Sequence, residues 1–152
     1  MAPRSISINE FNNLVGQDIG VSDWFDVTQE RVNAFADATL DHQWIHIDPD
    51  RAKRESPFGG PIAHGYFTLS LFPHLLDQAL TVEGVKMGLN YGLNKLRFPA
   101  PVPVGSRIRA HAKLQGVEQI PGGMQAIMAV TVEVEGSEKP ACAAECVFRY
   151  YT

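Results

Sequence analysis

The chain has little of what marks a secreted, membrane-spanning or nucleic-acid-binding protein. It holds only two cysteines, Cys142 and Cys146. At about 3.3 Å of strand rise per residue, these would sit roughly 13 Å apart in a strand-like segment, beyond disulfide reach. Two buried free thiols fit a reducing, cytoplasmic setting. No basic run occurs, and a net charge of -4 with a pI near 5.7 speaks against a nucleic-acid surface. The longest apolar stretch, around Leu69 to Leu76, is broken by Ser70, Pro73 and His74 and is too short to span a bilayer. Met1 to Ile8 has no continuous apolar segment of the kind a signal peptide needs. No glycine-rich phosphate loop is present, which argues against a nucleotide-binding domain. Internal repeats, low-complexity tracts and linkers are also missing.

What is there suits one folded domain over residues 1–152. The 152 residues are 45% hydrophobic, enough for a single core and too little for two. Charged residues make up 20%, so disorder is not expected. The first half reads as helical. A short helix is predicted over 9–14 and a strand over 19–27. Thr28 is an N-cap with Glu30 in the first turn. Val32, Phe35, Ala36 and Thr39 follow at helical spacing, so that helix ends near Thr39 and delivers Asp41 into a loop. Asp48-Pro49 reads as a cap followed by a proline at the first helical position. Residues 63–80 read as one long helix, apolar nearly all round and therefore buried, with a kink at Pro73. After Val82 the period becomes two. A strand over 84–98 places Gly88, Asn90, Gly92 and Asn94 on one face, where small residues would let a helix approach closely. Three further strands, separated by turns at Pro121-Gly122-Gly123 and Gly136-Ser137, form an antiparallel meander. A sheet wrapped around one buried helix, an α+β domain, packs these elements economically.

Two segments carry chemistry. Leu40-Asp41-His42-Gln43-Trp44-Ile45-His46 sets a carboxylate and an imidazole five positions apart. Pro61-Ile62-Ala63-His64-Gly65 opens the long helix, where unpaired backbone N–H groups and the dipole favour a developing oxyanion. Taken singly, Asp41 is as well explained as a turn former and His46 as a satisfied structural histidine. The pair with Gly65 supplies the parts of a site that adds water to an activated carbonyl compound or removes it.

Both motifs, in this order, resemble those of the MaoC-like dehydratases, the (R)-specific enoyl-CoA hydratases with the hot-dog fold. The Phe98-Pro99-Ala100-Pro101-Val102-Pro103-Val104-Gly105 segment is similar to the family's strand-to-turn segment. The family's motifs read Gly-Asp-x-Asn-Pro-(Leu/Ile)-His and Pro-Ile-x-His-Gly. Gln43-Trp44 stands in place of Asn-Pro, a variant of the branch that includes relatives of NodN. Leu40 stands in place of glycine. If position 40 is a left-handed cap, leucine costs on the order of 1 kcal/mol there. The apolar spacing from Val32, Phe35 and Ala36 instead points Leu40 toward the core or an acyl pocket.

The resemblance implies a hot-dog fold, an antiparallel sheet around a long central helix. It implies reversible hydration of trans-2-enoyl thioesters to (R)-3-hydroxyacyl thioesters, with Asp41, His46 and the Gly65 N–H as the catalytic groups. Gln43, Trp44 and His64 would line the substrate pocket. The thioester would be carried by coenzyme A or acyl-carrier protein, with Lys95, Arg97, Arg107 and Arg109 as candidate phosphate contacts on exposed strand positions. No cofactor is called for. A metal held by His42 and His46 is disfavoured because Trp44 and Pro49 frame a loop and no cysteine joins the set. A homodimer or higher homo-oligomer, paired edge to edge, would cover an exposed sheet edge. No membrane or nucleic-acid partner is expected. Two other functions remain open: a hot-dog acyl-CoA thioesterase, and a non-catalytic acyl-thioester-binding module.

Overall fold

The structure, a computed structural model, describes residues 2–152. Strand β1 (Arg4–Ser7) leads into a 3₁₀ turn (Ile8–Leu14), then β2 (Asp18–Val21) and β3 (Phe25–Asp26). Three helices follow: α1 (Gln29–Thr39), α2 (Trp44–Ile47) and α3 (Pro49–Glu55). The apolar stretch forms α4 (Gly65–Ser70) and α5 (Phe72–Ala79). Strands β4 (Leu80–Glu83), β5 (Met87–Arg97), β6 (Arg107–Ile120), β7 (Gly123–Val134) and β8 (Cys142–Tyr151) complete the chain. The main sheet runs β2-β6-β7-β8-β5, with β3 also on β6, and its pairings are all antiparallel. β1 and β4 pair in parallel as a separate ribbon. This is the expected α+β architecture, an antiparallel sheet with the helix pair α4–α5 packed against its apolar face.

The meander forms because alternate residues are apolar. Ile108, Ala110, Ala112 and Leu114 of β6, and Met124, Ala126, Met128, Val130 and Val132 of β7, are buried. They meet Phe67, Phe72 and Leu75 of the helices in one core. Cys142 and Cys146 lie buried and unpaired in that face, and burial pushes their thiols up to about 11 and about 12.

Three readings of the sequence are corrected. The long helix is two helices meeting at Leu71. Pro73 has no N–H to offer the Leu69 carbonyl, so the ladder stops and a second helix starts, with the proline in its first turn. The helical run also begins at Gly65, not residue 63, because Ile62 and Ala63 are tied into extended pairing. Ala63 N–H donates to the Val102 carbonyl at 2.8 Å, and Ile62 bridges Pro103. Third, the close helix–sheet approach is at Gly20, where a Cβ would lie 2.6 Å from the Ala79 carbonyl oxygen of α5. At Gly92 a Cβ would meet nothing within 4 Å, so β5 stands off from the helices and leaves a groove.

Thr28 caps α1 as expected, its hydroxyl accepting from Arg31 N–H. The other end of α1 resolves the two readings of Leu40. It is the left-handed cap (φ 65°) and its side chain is 79% exposed. The apolar spacing misled here, since the left-handed turn swings residue 40 off the inner face of the helix. Leu40→Gly is therefore expected to stabilise the fold by up to about 1 kcal/mol. That should raise the melting temperature by about 2–4 °C for a chain of this size. An unchanged or lower melting point in calorimetry would contradict the strain.

Candidate active site

The site is assembled where α2 and the start of α4 are stitched together. Ile62 N–H donates to the Ile45 carbonyl at 3.0 Å, and the Ile62 carbonyl accepts from His46 Nδ1–H at 2.7 Å. A carbonyl can only accept, so this bond fixes the His46 tautomer and leaves Nε2 with its lone pair free. The residue is 7% exposed. Its pKa is held below the ordinary value of 6.5, chiefly by burial and further by the neighbouring His64, against the opposing pull of the Ile62 bond and Asp41. His46 is therefore a neutral acceptor at pH 7. It lies on the one-turn helix α2, where the sequence reading had placed a loop.

Linkage fixes the sign of a pH effect. Below pH 6.5 the unfolded chain takes up a proton at His46 before the folded one does. The stability contributed by the buried neutral ring is complete above pH 6.5 and is lost as the pH falls through the lower folded value. On going from about pH 7.5 to 5.5, the wild-type melting temperature is expected to fall further than that of His46→Gln. Equal falls would show that His46 does not titrate this way.

Asp41 follows directly on the Leu40 cap, its carboxylate about half exposed and accepting from Gln43 N–H at 3.4 Å. His64 holds its backbone. The His64 ring is 3% exposed and donates Nε2–H to the Asp41 carbonyl at 3.0 Å. It stacks on His46 with centroids 3.8 Å apart at 25°, and Phe35 packs against it at 4.9 Å. One ligating atom from each of Asp41, His46 and His64 lies within 4.8 Å of the others. Such a trio can hold a water between a carboxylate and an imidazole lone pair. It is poorly shaped for a metal. Ring lone pairs lie in the ring planes, and two nearly parallel planes do not converge on an ion about 2.0–2.1 Å from both nitrogens. His42 turns away to Asp37 at 2.9 Å.

Gly65 opens α4, so its N–H has no acceptor within its own helix. A Cβ there would lie 2.8 Å from the Phe98 ring, and both residues line a cavity of about 340 Å³. The glycine thus serves close packing as well as leaving a donor at the cavity wall.

The chain that carries this site is matched along most of its length by comparison with known proteins. The profile of the "MaoC like domain" family covers residues 10–137. The 3-hydroxyacyl-thioester dehydratase Z of Mycobacterium tuberculosis is 59% identical over 145 residues, 95% of each chain. The chain belongs to the MaoC-like dehydratase family. It is accordingly a hydro-lyase, an enzyme of the hydratase/dehydratase class. Nodulation protein N of Rhizobium meliloti is 42% identical over 146 residues, covering 95% of this chain and 91% of that protein. Among solved structures, the (R)-hydratase from A. caviae involved in PHA biosynthesis superposes with a TM-score of 0.72 at 27% identity, over 88% of this chain and 94% of that one.

The remaining candidates of this MaoC-like enzyme fall into two groups. Gln43 caps α2 without a side-chain hydrogen bond, and Trp44 is covered by the Arg51 guanidinium at 4.3 Å. Both sit on the α2 side, beside Asp41 and His46. Lys95 and Arg97 lie on exposed β5 positions opposite Glu145 and Ala143 of β8. That is the outward face of the sheet, away from the trio. Arg107 and Arg109 are already engaged. Glu135 pairs with Arg107, Glu133 grips Arg109 at 2.9–3.2 Å, and both guanidiniums lie over Trp24. The phosphate role offered for these two arginines is corrected accordingly.

Residues the sequence did not single out complete the site. Gln29 reaches from α1 and donates to the His46 carbonyl at 2.7 Å, anchoring α2. Thr68, one turn into α4 and 1% exposed, lines the same cavity as Gly65 with its hydroxyl unpartnered. Phe98, which the sequence marked only as part of the strand-to-turn segment, walls that cavity. No spacing rule flags Gln29. Thr68 shares a helical face with His64 at i, i+4, and that was the one available signal.

Proposed function

We propose that this protein adds water reversibly to trans-2-enoyl thioesters, giving (R)-3-hydroxyacyl thioesters. The observation that carries this reading is the His46–Ile62 bond, which leaves a neutral Nε2 lone pair beside the Asp41 carboxylate. A water held by the two gives up a proton to one of them as its oxygen bonds to C3 of the enoyl group. The electron pair moves to the thioester oxygen, and the Gly65 N–H stabilises the charge there. The pair then returns a proton to C2 from the same face. Dehydration runs the same steps backwards.

The relatives' names support the substrate class. One is called a 3-hydroxyacyl-thioester dehydratase and the superposed structure an (R)-hydratase. We infer a thioester of coenzyme A or acyl-carrier protein, with Gln43, Trp44 and His64 along the pocket and Lys95 and Arg97, on the outward face of the sheet, contacting the carrier's phosphates only where the carrier extends beyond the pocket. We further infer one domain spanning the chain, a homodimer, and a cytoplasmic setting. Among the described residues, no helix is long and apolar enough to cross a membrane. Hydration of crotonyl-CoA in deuterium oxide tests the one-face delivery. The expected product carries deuterium at a single C2 position. Deuterium at both positions, in an initial-rate experiment, would contradict a single proton-returning pair.

A further inference from the structure

His64 is joined to each of the three groups given to the chemistry. It is the cap residue before α4, so the N–H that Gly65 leaves at the cavity wall belongs to the peptide the two residues share. Its ring donates Nε2–H to the Asp41 carbonyl at 3.0 Å. The same ring stacks on His46, with centroids 3.8 Å apart and planes at 25°. The residue is 3% exposed, so the ring works through these neighbours, and the cavity wall beside it is Gly65.

His64 is also the better anchored partner in these contacts. Phe35 of α1 packs on its ring at 4.9 Å, and Phe67 meets Phe35 edge to face at 5.7 Å. On the N-terminal side, Ala63 N–H is tied to the Val102 carbonyl at 2.8 Å. On the C-terminal side, the His64 carbonyl accepts from Phe67 and Thr68 N–H at 3.1 and 3.3 Å, which starts α4. Asp41 is held more loosely. It follows the exposed left-handed Leu40, and its half-exposed carboxylate accepts a long bond of 3.4 Å from Gln43 N–H. The bond from His64 thus ties the loosest member of the site to a well-packed one.

Building on the hydratase reading, we propose that His64 is a positioning residue that holds Asp41 and His46 in register with the Gly65 N–H. In that reading the water on the pair meets C3 while the thioester oxygen meets Gly65. An error between the two halves of the site therefore costs rate without weakening binding. The hydrogen bond carries most of the effect, because without its donor the Asp41 peptide is free to turn. The stack fixes the plane of the His46 ring and contributes less.

The test measures kcat and KM for crotonyl-CoA in the wild type, His64→Phe and His64→Gln, below the melting temperature of each. Phenylalanine keeps an aromatic ring beside His46 and loses the donor. Glutamine loses the ring but carries an amide N–H as many bonds from Cα as the histidine Nε2–H. His64→Phe should lower kcat by about 10²-fold with KM nearly unchanged. His64→Gln should recover about tenfold of that loss. In the Asp41→Asn background most of the His64→Phe loss should disappear, because the two residues act as one unit. A merely structural role would lower the melting temperature and leave kcat alone. Unchanged kcat, a loss confined to KM, or costs that add in the double variant each overturn the proposal. If the wild type does not turn over crotonyl-CoA, the hydratase reading fails separately. The positioning is then read from His46 by NMR titration of its ring nitrogens. Burial and the neighbouring His64 hold its pKa below 6.5, against the pull of the Ile62 bond and Asp41. His64→Gln should move that titration up, and an unmoved titration overturns the contact and the proposal with it.

Discussion

Asp41→Asn and His46→Gln are each expected to lower kcat for enoyl-thioester hydration by about 10²–10⁴-fold, with KM nearly unchanged. The expectation follows from where the two groups act. In the proposed mechanism the carboxylate and the imidazole lone pair hold the attacking water, not the acyl chain or its carrier. Removing one takes away an interaction made in the transition state and leaves ground-state binding alone. Asn keeps the shape of Asp41 and its contact with Gln43 N–H but cannot carry a proton. Gln at 46 can still donate to the Ile62 carbonyl but offers no basic lone pair. The double variant is expected to be little worse than the worse single one, because the two work on one water and their effects do not add. Steady-state kinetics with crotonyl-CoA checks this. Near-normal turnover in either single variant would remove that residue from the chemistry.

The second large effect concerns the sheet edge. β5 is the last strand of the main sheet, and Met87, Leu89, Tyr91 and Leu93 on it are each 42–56% exposed. A long apolar edge strand of this kind invites pairing with another strand. If two copies pair through β5, every substitution counts twice, because a two-fold interface uses the same patch on both subunits. Losing a buried leucine costs about 1.5–3 kcal/mol, so Leu89→Lys should weaken the dimer by at least about 10²–10⁴-fold. Light scattering at micromolar concentration should give twice the 16.7 kDa chain mass for the wild type and a mass near that of one chain for the variant. A monomeric wild type would contradict the dimer, and a dimeric variant would place the interface elsewhere.

The strand meander was legible because alternation from Arg107 to Val134 states directly which side is buried. The cap at Thr28, the proline start at Pro49 and the placement of Asp41 after α1 were legible for a similar reason, since each is set by neighbours within a few residues. Leu40 shows the limit of periodicity. Its spacing continues an apolar face, but one left-handed residue turns it into solvent. Gly88 and Gly92 show another limit. Small residues permit a close approach without requiring one, and the helices chose Gly20 instead. The candidates Asp41, His46 and Gly65 were picked out through motifs carried on contiguous segments. Gln29, Phe98 and the stacking of His64 on His46 depend on closures between distant segments, such as Ile62 with Pro103, and no local pattern encodes those. Thr68 was passed over because a threonine in an apolar helix looks like core until its hydroxyl is seen to lack a partner.

The most direct measurement is a spectrophotometric assay of purified protein with crotonyl-CoA, followed by chiral analysis of the product and a parallel assay for free thiol. The account leads to loss of the enoyl chromophore, formation of (R)-3-hydroxybutyryl-CoA and no release of coenzyme A. The (S) product, or coenzyme A set free with the double bond intact, would contradict it.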